Sequence, residues 1–155
     1  MIERLRKTLA DAAEQGHYYR WVIILGGIHD LGYGVRPQTI FDGLKQMYQM
    51  VYEHGANLVV MTVNETGRLK TNDPRDADRQ CLNELIKKYA WENHWAGGRR
   101  TFCVDINAAI PWHRSDVDEK RRLWDDHMHL TPAGYDLMGI LIFKTIVDYL
   151  NLKDI

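Results

Sequence analysis

The chain has 155 residues, 45% of them hydrophobic and 26% charged, which is typical of a globular protein and excludes a disordered or fibrous one. Twenty Lys and Arg stand against 21 Asp and Glu, so the formal net charge of -1 offers no basic surface to a nucleic acid. The longest apolar runs have the length of strands, and the segment from Met1 to Lys7 is charged and amphipathic. We therefore expect a single domain over residues 1–155, located in the cytoplasm, with no signal peptide, membrane span or nucleic acid partner.

Helical and strand-like segments alternate along the first half of the chain. Apolar residues at helical spacing predict a helix from Ile2 to Ala12, and Gly16 follows as a stop signal. The run Trp21–Leu25 is apolar throughout, as expected of a strand that is buried on both faces. A second amphipathic helix is predicted from about Pro37.

The second half repeats this alternation. Leu58–Val63 predicts a second buried strand, and Asp73-Pro74 has the N-cap and first-turn residues typical of a helix start. Thr101–Ile106 predicts a third strand, and Thr131-Pro132 begins a last helix that carries Val147 and Leu150. Strands that alternate with helices three times predict an α/β fold, in which right-handed crossovers build a parallel sheet covered on both faces.

The two cysteines are interpreted as small core residues. Cys81 lies in a helical pattern and Cys103 in an apolar strand. Neither has the partner spacing of a disulfide framework or of a metal site.

Ligand sites of parallel sheets form at the carboxyl ends of the strands, so the loops that follow the strands are the candidates. The first strand is followed by Gly26–Gly32, whose glycine spacing fits neither a dinucleotide fingerprint nor a phosphate loop. The last helix is preceded by Asp125–Tyr135, which places acids and two histidines just outside a helix N-terminus. Asn64 directly follows the second strand and is assigned to the same edge. We expect a substrate site here and no cofactor.

The segment Asp126-x-x-His129-Leu-Thr-Pro-Ala-Gly-Tyr135 resembles the last conserved block of the SGNH, or GDSL-type, hydrolases. In that family the histidine is the base, and the aspartate three residues earlier orients it. Leu25–Gly32 similarly resembles the family block Gly-x-Asn-Asp, which lies at the end of the third strand of a flavodoxin-like sheet. The resemblance covers the chain from Leu5 onward. It implies a flavodoxin-like three-layer α/β/α fold with a reduced parallel sheet, and a small-molecule substrate.

The chain departs from the family pattern in four places. The first strand with its Gly-Asp-Ser block, which carries the nucleophile, is missing, and so is the next block, which supplies a glycine amide to the oxyanion hole. His29 stands where the oxyanion-hole asparagine is expected, and His127 stands where glycine is usual. The only serine, Ser115, lies in a polar loop and is interpreted as a solvated loop residue rather than as a nucleophile.

The remaining residues still support acid/base chemistry. Asp126 can hold the His129 ring in one tautomer and stabilise its cation, so the pair can act as general base and then as general acid. His29 can donate a hydrogen bond to a carbonyl or enolate oxygen, and it can also transfer a proton. Asp30 is interpreted first as closing the loop by accepting backbone amide hydrogens, and second as contacting the substrate. The predicted catalytic residues are His129, Asp126 and His29, and the predicted substrate-binding residues are Gly27, Asp30, His127 and Asn64.

Three hypotheses of function follow. The first is an enzyme without a serine nucleophile, which uses His129 and Asp126 on a carbonyl-containing substrate in an isomerisation, dehydration, cyclisation or water-mediated hydrolysis. The second is a serine esterase whose nucleophile block is missing from this chain, and the third is a pseudoenzyme that acts as a binding module. A zinc site built by His29, Asp126, His127 and His129 is a further alternative, ranked lower because the ligand spacing is irregular, so no metal is assigned.

The resemblance also predicts an oligomer. In the full family fold, the missing first strand lies in the middle of the sheet, beside the strand Trp21–Leu25. Without it, this strand has an unpaired apolar edge, which proteins normally cover. We expect a homodimer in which a second subunit, or the N-terminal helix, covers this edge.

Overall fold

The computed structural model of the protein describes residues 1–70, 73–96 and 98–150, so the last five residues of the predicted domain lie outside the described part. The helices are α1 (Ile2–Glu14), α2 (Ile28–Gly32), α3 (Pro37–Glu53), α4 (Pro74–Glu92), α5 (Ile106–Ala109), α6 (Val117–Leu123) and α7 (Pro132–Ile146). The strands are β1 (Trp21–Ile24), β2 (Asn57–Met61), β3 (Trp95–Ala96) and β4 (Arg99–Val104).

The four strands form one sheet in the order β1-β2-β4-β3. β1, β2 and β4 are parallel, with Ile24 opposite Val60 and Val60 opposite Cys103. These are the three predicted strands, and the predicted parallel sheet is confirmed. The two-residue strand β3 pairs antiparallel with the start of β4, and the sequence analysis missed it because it is too short to show a period of two.

Helices cover both faces of the sheet, because alternate residues of each strand point to opposite faces. On one face α3 and α4 pack on the strands and α1 packs on α3, and on the other face α7 packs on β4. The first core includes Leu44, Val51, Leu58, Val60, Leu82 and Ile86. The second includes Val59, Met61, Val104 and Ile146. The three-layer α/β/α architecture therefore agrees with the prediction.

The predicted capping residues begin the helices where expected. The Asp73 carboxylate accepts a hydrogen bond from the Arg75 amide at 2.9 Å, and the Thr131 hydroxyl accepts one from the Gly134 amide at 3.2 Å. α7 gives way to a 3₁₀ turn at Val147–Tyr149, so two residues predicted for the last helix lie beyond its end. Within the described residues, no helix is both long enough and apolar enough to cross a membrane.

The two cysteines differ in environment. Cys103 is partly buried in β4, and this burial raises the pKa of its thiol to about 11. Cys81 is exposed, so its interpretation as a core residue was wrong. The reason is its place on α4, where the neighbouring Leu82 faces the sheet and Cys81 is turned away from it.

One edge of the sheet is open, and apolar residues lie beside it. Within the described part of the chain β1 pairs only with β2, and its four residues include neither a charge nor a proline. Ile23 is 47% exposed and Leu25 is 42% exposed, since α7 packs on β4 rather than over β1. Ile140 and Phe143 of α7 are also exposed. α1 packs against α3.

We expect a homodimer in which two β1 edges pair antiparallel about a two-fold axis, because a symmetric interface places the same edge on both subunits. Sedimentation velocity at micromolar concentration should give a dimer for the wild type. Ile23→Lys, which places a charge beside the edge, should give a monomer. Val117→Lys changes an exposed apolar residue of α6 in the same way and should stay dimeric. A monomeric wild type would contradict this expectation.

Candidate active site

A cavity of about 640 Å³ opens at the carboxyl end of the parallel strands. Loops that follow β1, β2 and β4 contribute to its lining, and the loop before α7 completes it. The polar lining residues are His29, Asp30, Thr39, Asn64, Glu65, His129 and Tyr135. A ligand site was predicted at this edge of the sheet, and the predicted residues Gly27, His29, Asp30, Asn64 and His129 all line the cavity.

Asp126 and His129 form a hydrogen-bonded pair. The His129 ring binds through Nδ1 to Oδ2 of Asp126 at 2.9 Å, and the amides of His129 and Met128 donate to Oδ1 at 2.7 and 2.6 Å. The hydrogen bond from the ring, together with those from the two amides, holds the pKa of Asp126 well below its usual range. Asp126 is therefore a carboxylate at neutral pH, and it fixes Nδ1 as the protonated nitrogen. Nε2 is then the ring nitrogen left to exchange a proton at the cavity.

The loop that carries this pair is held at both ends. The Asp125 amide donates to the His129 carbonyl at 2.9 Å, and the Thr131 amide donates to the Leu123 carbonyl at 3.0 Å. Gly134, in the first turn of α7, lies against α6 so closely that a Cβ would stand 2.3 Å from the Leu123 carbonyl oxygen. Glycine at this position lets α7 start beside the end of α6, and this places His129 at the cavity.

His29 lies on the one-turn helix α2, which the sequence analysis treated as loop. The helix begins after Gly27, whose φ of +108° favours glycine, and a Cβ there would stand 2.9 Å from the Leu82 side chain. This turn places the His29 ring, which is exposed, on the cavity lining. His29 and His129 thus face one cavity from two different loops.

Asp30 closes the turn differently from the prediction. Its backbone carbonyl accepts hydrogen bonds from the amides of Tyr33 and Val35 at 3.1 and 3.0 Å. Among the described residues its carboxylate accepts none, so the expected loop closure by the side chain was wrong. The exposed carboxylate contributes negative charge to the cavity lining instead.

Glu65 is a site residue that the sequence analysis missed. Its Oε2 accepts hydrogen bonds from the amides of Trp112 and His113 at 2.7 and 2.8 Å, and the residue lines the cavity. The neighbouring Asn64 also lines the cavity, and its Oδ1 is buried without a partner in the part of the chain that the structure describes. The only sequence signal is that both residues directly follow the second predicted strand.

Buried side chains of α4 set where this loop leaves the sheet. The Asn83 side chain binds both backbone polar groups of Val63. Its Oδ1 accepts a hydrogen bond from the Val63 amide at 2.7 Å, and its Nδ2 donates one to the Val63 carbonyl at 2.9 Å. Arg79 donates to the same carbonyl at 3.2 Å and forms an ion pair of 2.7 Å with Asp76. These contacts fix the residue that precedes Asn64.

The rest of the cavity is apolar. Met1 and Ile2 at the start of α1 contribute to this wall, and so do residues from the segment before α3 and from α3 itself. These residues are Val35, Ile40, Leu44 and Met47. A substrate therefore meets proton-transfer groups and acceptors on one side and a hydrocarbon surface on the other.

Two other predicted positions lie away from the cavity lining. The His127 ring packs edge-on against the Trp112 ring, with 5.3 Å between the ring centroids. The His127 carbonyl accepts hydrogen bonds from the Thr66 hydroxyl and the Gly67 amide, and these bonds connect the His129 loop to the loop after β2.

Ser115 is 6% exposed, so its interpretation as a solvated residue was wrong. Its hydroxyl donates to the Pro111 carbonyl at 2.6 Å.

The zinc alternative has no geometric support. Over residues 1–70, 73–96 and 98–150, no three His, Cys, Asp or Glu side chains come together as metal ligands. His127 in particular contacts Trp112 rather than the cavity.

Residues 1–137 match the model of the GDSL-like lipase/acylhydrolase family. A GDSL-like lipase from Bacteroides thetaiotaomicron has a similar structure, with a TM-score of 0.72 and 19% identity over 96% of this chain and 70% of the lipase. A family 3 carbohydrate esterase from Clostridium thermocellum has a TM-score of 0.63 and 16% identity, over 96% of this chain and 66% of the esterase. A variant of an acetyl-xylooligosaccharide esterase from Geobacillus stearmophilus has a TM-score of 0.61 and 17% identity, over 90% of this chain and 66% of that one. The comparison with curated proteins gives no match.

Proposed function

Because the chain belongs to the GDSL-like lipase/acylhydrolase family, we propose that it hydrolyses a carbonyl-containing ester with water as the nucleophile and His129 as the acid/base group. The observation that carries this proposal is the 2.9 Å hydrogen bond between the His129 ring and Asp126, with His129 on the lining of a partly apolar cavity. The related structures carry the names lipase and esterase, which supports an ester as the substrate class.

The proposed reaction has two proton transfers. His129 Nε2 takes a proton from a water molecule as the water oxygen attacks the carbonyl carbon, and Asp126 stabilises the imidazolium that forms. His29 donates a hydrogen bond to the carbonyl oxygen, which gains negative charge in the tetrahedral intermediate. When the bond from carbon to the leaving oxygen breaks, His129 returns its proton to that oxygen. The products are the acid and the alcohol.

Ser115 takes no part in this scheme. It is the only serine in the sequence, its side chain is buried, and its hydroxyl donates to the Pro111 carbonyl rather than to a histidine. A serine nucleophile needs an adjacent base that takes its proton. For hydrolysis by residues 1–155, a directly attacking water therefore fits better than an acyl-enzyme on Ser115.

We expect the chain to remain unlabelled by a serine-directed organophosphate such as paraoxon, because Ser115 is not among the described residues that line the cavity. Intact-mass spectrometry before and after incubation measures the label, and hydrolysis of a short p-nitrophenyl ester is followed in the same samples. A serine esterase treated in parallel shows that the reagent is active. The proposal expects continued hydrolysis without a mass increase. Stoichiometric labelling of Ser115 would overturn it.

The two other hypotheses give different results in this experiment. A serine esterase whose nucleophile block lies outside these 155 residues predicts no hydrolysis by this chain, with activity restored when a segment carrying Gly-Asp-Ser is supplied. A binding module predicts no hydrolysis with or without that segment. Isomerisation, dehydration or cyclisation would use the same proton transfers and would be detected as turnover without ester cleavage.

A further inference from the structure

We infer that Asn64 and Glu65 form a recognition subsite that takes a hydrogen-bond-donating group of the substrate, either a hydroxyl or an ammonium group. The inference rests on the proposed function, because the subsite lies in the same cavity as His129. It adds a substrate class, which is a carbonyl compound with a hydroxyl or ammonium group close to the carbonyl.

The Glu65 carboxylate has one oxygen fixed and one oxygen free. Both backbone donors, the amides of Trp112 and His113, bind to Oε2. Among the described residues, Oε1 has no hydrogen-bond partner and is not a fully buried atom, and Glu65 lines the cavity. The two amide bonds orient the carboxylate before a ligand arrives, which lowers the entropy lost on binding.

Asn64 supplies a second acceptor beside the first. Its Oδ1 is buried and has no partner in the described part of the chain, although the residue lines the cavity. A buried acceptor without a donor is unfavourable, and a substrate donor would satisfy it. Asn64 Oδ1 and the free oxygen of Glu65 are both acceptors, so together they favour a group that donates hydrogen bonds.

The charges of the lining residues also favour a hydrogen-bond-donating group. Asp30 and Glu65 are acidic, and the described lining residues include no lysine or arginine. A phosphate or carboxylate group would therefore meet like charge from Asp30 and Glu65. A neutral hydroxyl would bind favourably here, and an ammonium group would gain attraction to Glu65 as well.

Binding of three matched amides tests the subsite without requiring catalysis. N-propylacetamide, N-(2-hydroxyethyl)acetamide and N-(2-aminoethyl)acetamide have the same carbonyl and nearly the same length, and they end in a methyl, a hydroxyl and an ammonium group. Amides resist hydrolysis, so chemical-shift titration by NMR reports affinity alone. The hydroxyl or ammonium compound should bind the wild type about tenfold more tightly than the propyl compound, as expected for one hydrogen bond to a charged group. Whichever binds more tightly identifies the donor.

Glu65→Gln separates recognition from loop positioning. The glutamine oxygen can still accept from the amides of Trp112 and His113, so the loop keeps its anchor. The side-chain NH₂ group then replaces the free oxygen and presents a donor. We expect the preference over N-propylacetamide to fall at least fivefold, with binding of N-propylacetamide unchanged. Glu84→Gln, on the exposed face of α4, is the matched control and should keep the preference. Asn64→Leu should weaken binding of the hydroxyl compound.

The inference is overturned if the three amides bind the wild type equally, if none binds, or if the preference survives in both Glu65→Gln and Asn64→Leu. The result is independent of the proposed acid/base chemistry. A preference that persists in His129→Ala supports the subsite, and an absence of ester hydrolysis in the wild type would contradict only the proposed function.

Discussion

Replacing His129 with alanine should lower the rate of ester hydrolysis by about a hundredfold to ten-thousandfold, the usual contribution of a positioned acid or base. His129 supplies both proton transfers in the proposed reaction, and no other described residue has a ring bound to a carboxylate at the cavity. The side chains of His129 and Asp126 are 60% and 44% exposed, so the substitution removes little packing. The measurement is kcat/KM for a p-nitrophenyl ester, with circular dichroism to verify folding.

Two further variants divide the roles within the site. Asp126→Asn should reduce the rate nearly as much as His129→Ala if the carboxylate chiefly stabilises the imidazolium, and less if it only fixes the tautomer. His29→Asn restores the family's usual donor and removes a titratable group. The His29→Asn variant should stay active if His29 only stabilises the oxyanion. If His29 transfers a proton, the variant should lose activity but still bind ligand.

His17→Ala is the matched control, because His17 is an exposed histidine with no acidic partner among the described residues. Its rate should equal that of the wild type. Full activity in both His129→Ala and His29→Asn would refute the acid/base proposal and favour the binding module.

The sequence predicted the sheet well because its signals were local. Largely apolar runs marked β1, β2 and β4, and capping residues marked the starts of α4 and α7. The His129 loop could be identified because Asp126–Tyr135 resembles the last conserved block of the SGNH hydrolases, and its acid and histidine are hydrogen-bonded in the structure. The cytoplasmic location and the expected lack of a nucleic acid partner stay predictions.

The missed features depend on contacts between distant segments. Glu65 is held by amides 47 and 48 residues away in sequence, and no local pattern reports such a pairing. Ser115 lies in a polar stretch, yet it is buried, and its loop is tied to the loop after β2 through the amides of Trp112 and His113. Apolar periodicity also missed a buried polar stripe on α4, because Asp76, Arg79 and Asn83 recur at helical spacing but are not hydrophobic.

This polar stripe carries the second large effect, because Asp76 and Arg79 form a buried ion pair. Their side chains are 6% and 4% exposed, and Arg79 Nε lies 2.7 Å from Asp76 Oδ1. The remaining groups are also satisfied, since Arg79 donates to the Val63 carbonyl and to Asn107, and Gln80 donates to Asp76. Removing one partner leaves a buried charge without compensation, and this typically costs about 3 to 5 kcal/mol.

We therefore expect Asp76→Ala to lower the free energy of unfolding by about 3 to 5 kcal/mol in urea denaturation at fixed protein concentration. Glu92→Ala is the matched control, because it removes an exposed ion pair with Lys88. This variant should change the free energy of unfolding by less than about 1 kcal/mol. The double variant Asp76→Leu with Arg79→Met should lose much less than the sum of Asp76→Leu and Arg79→Met measured singly, because no unpaired charge remains. Equal losses in Asp76→Ala and Glu92→Ala would show that the pair is not isolated from water.

The variants of Asp76 and Arg79 should also weaken ligand binding, since Arg79 holds the Val63 carbonyl that precedes Asn64 and Glu65. Ion pairing in the core would then position the acceptors of the cavity as well as stabilise the fold.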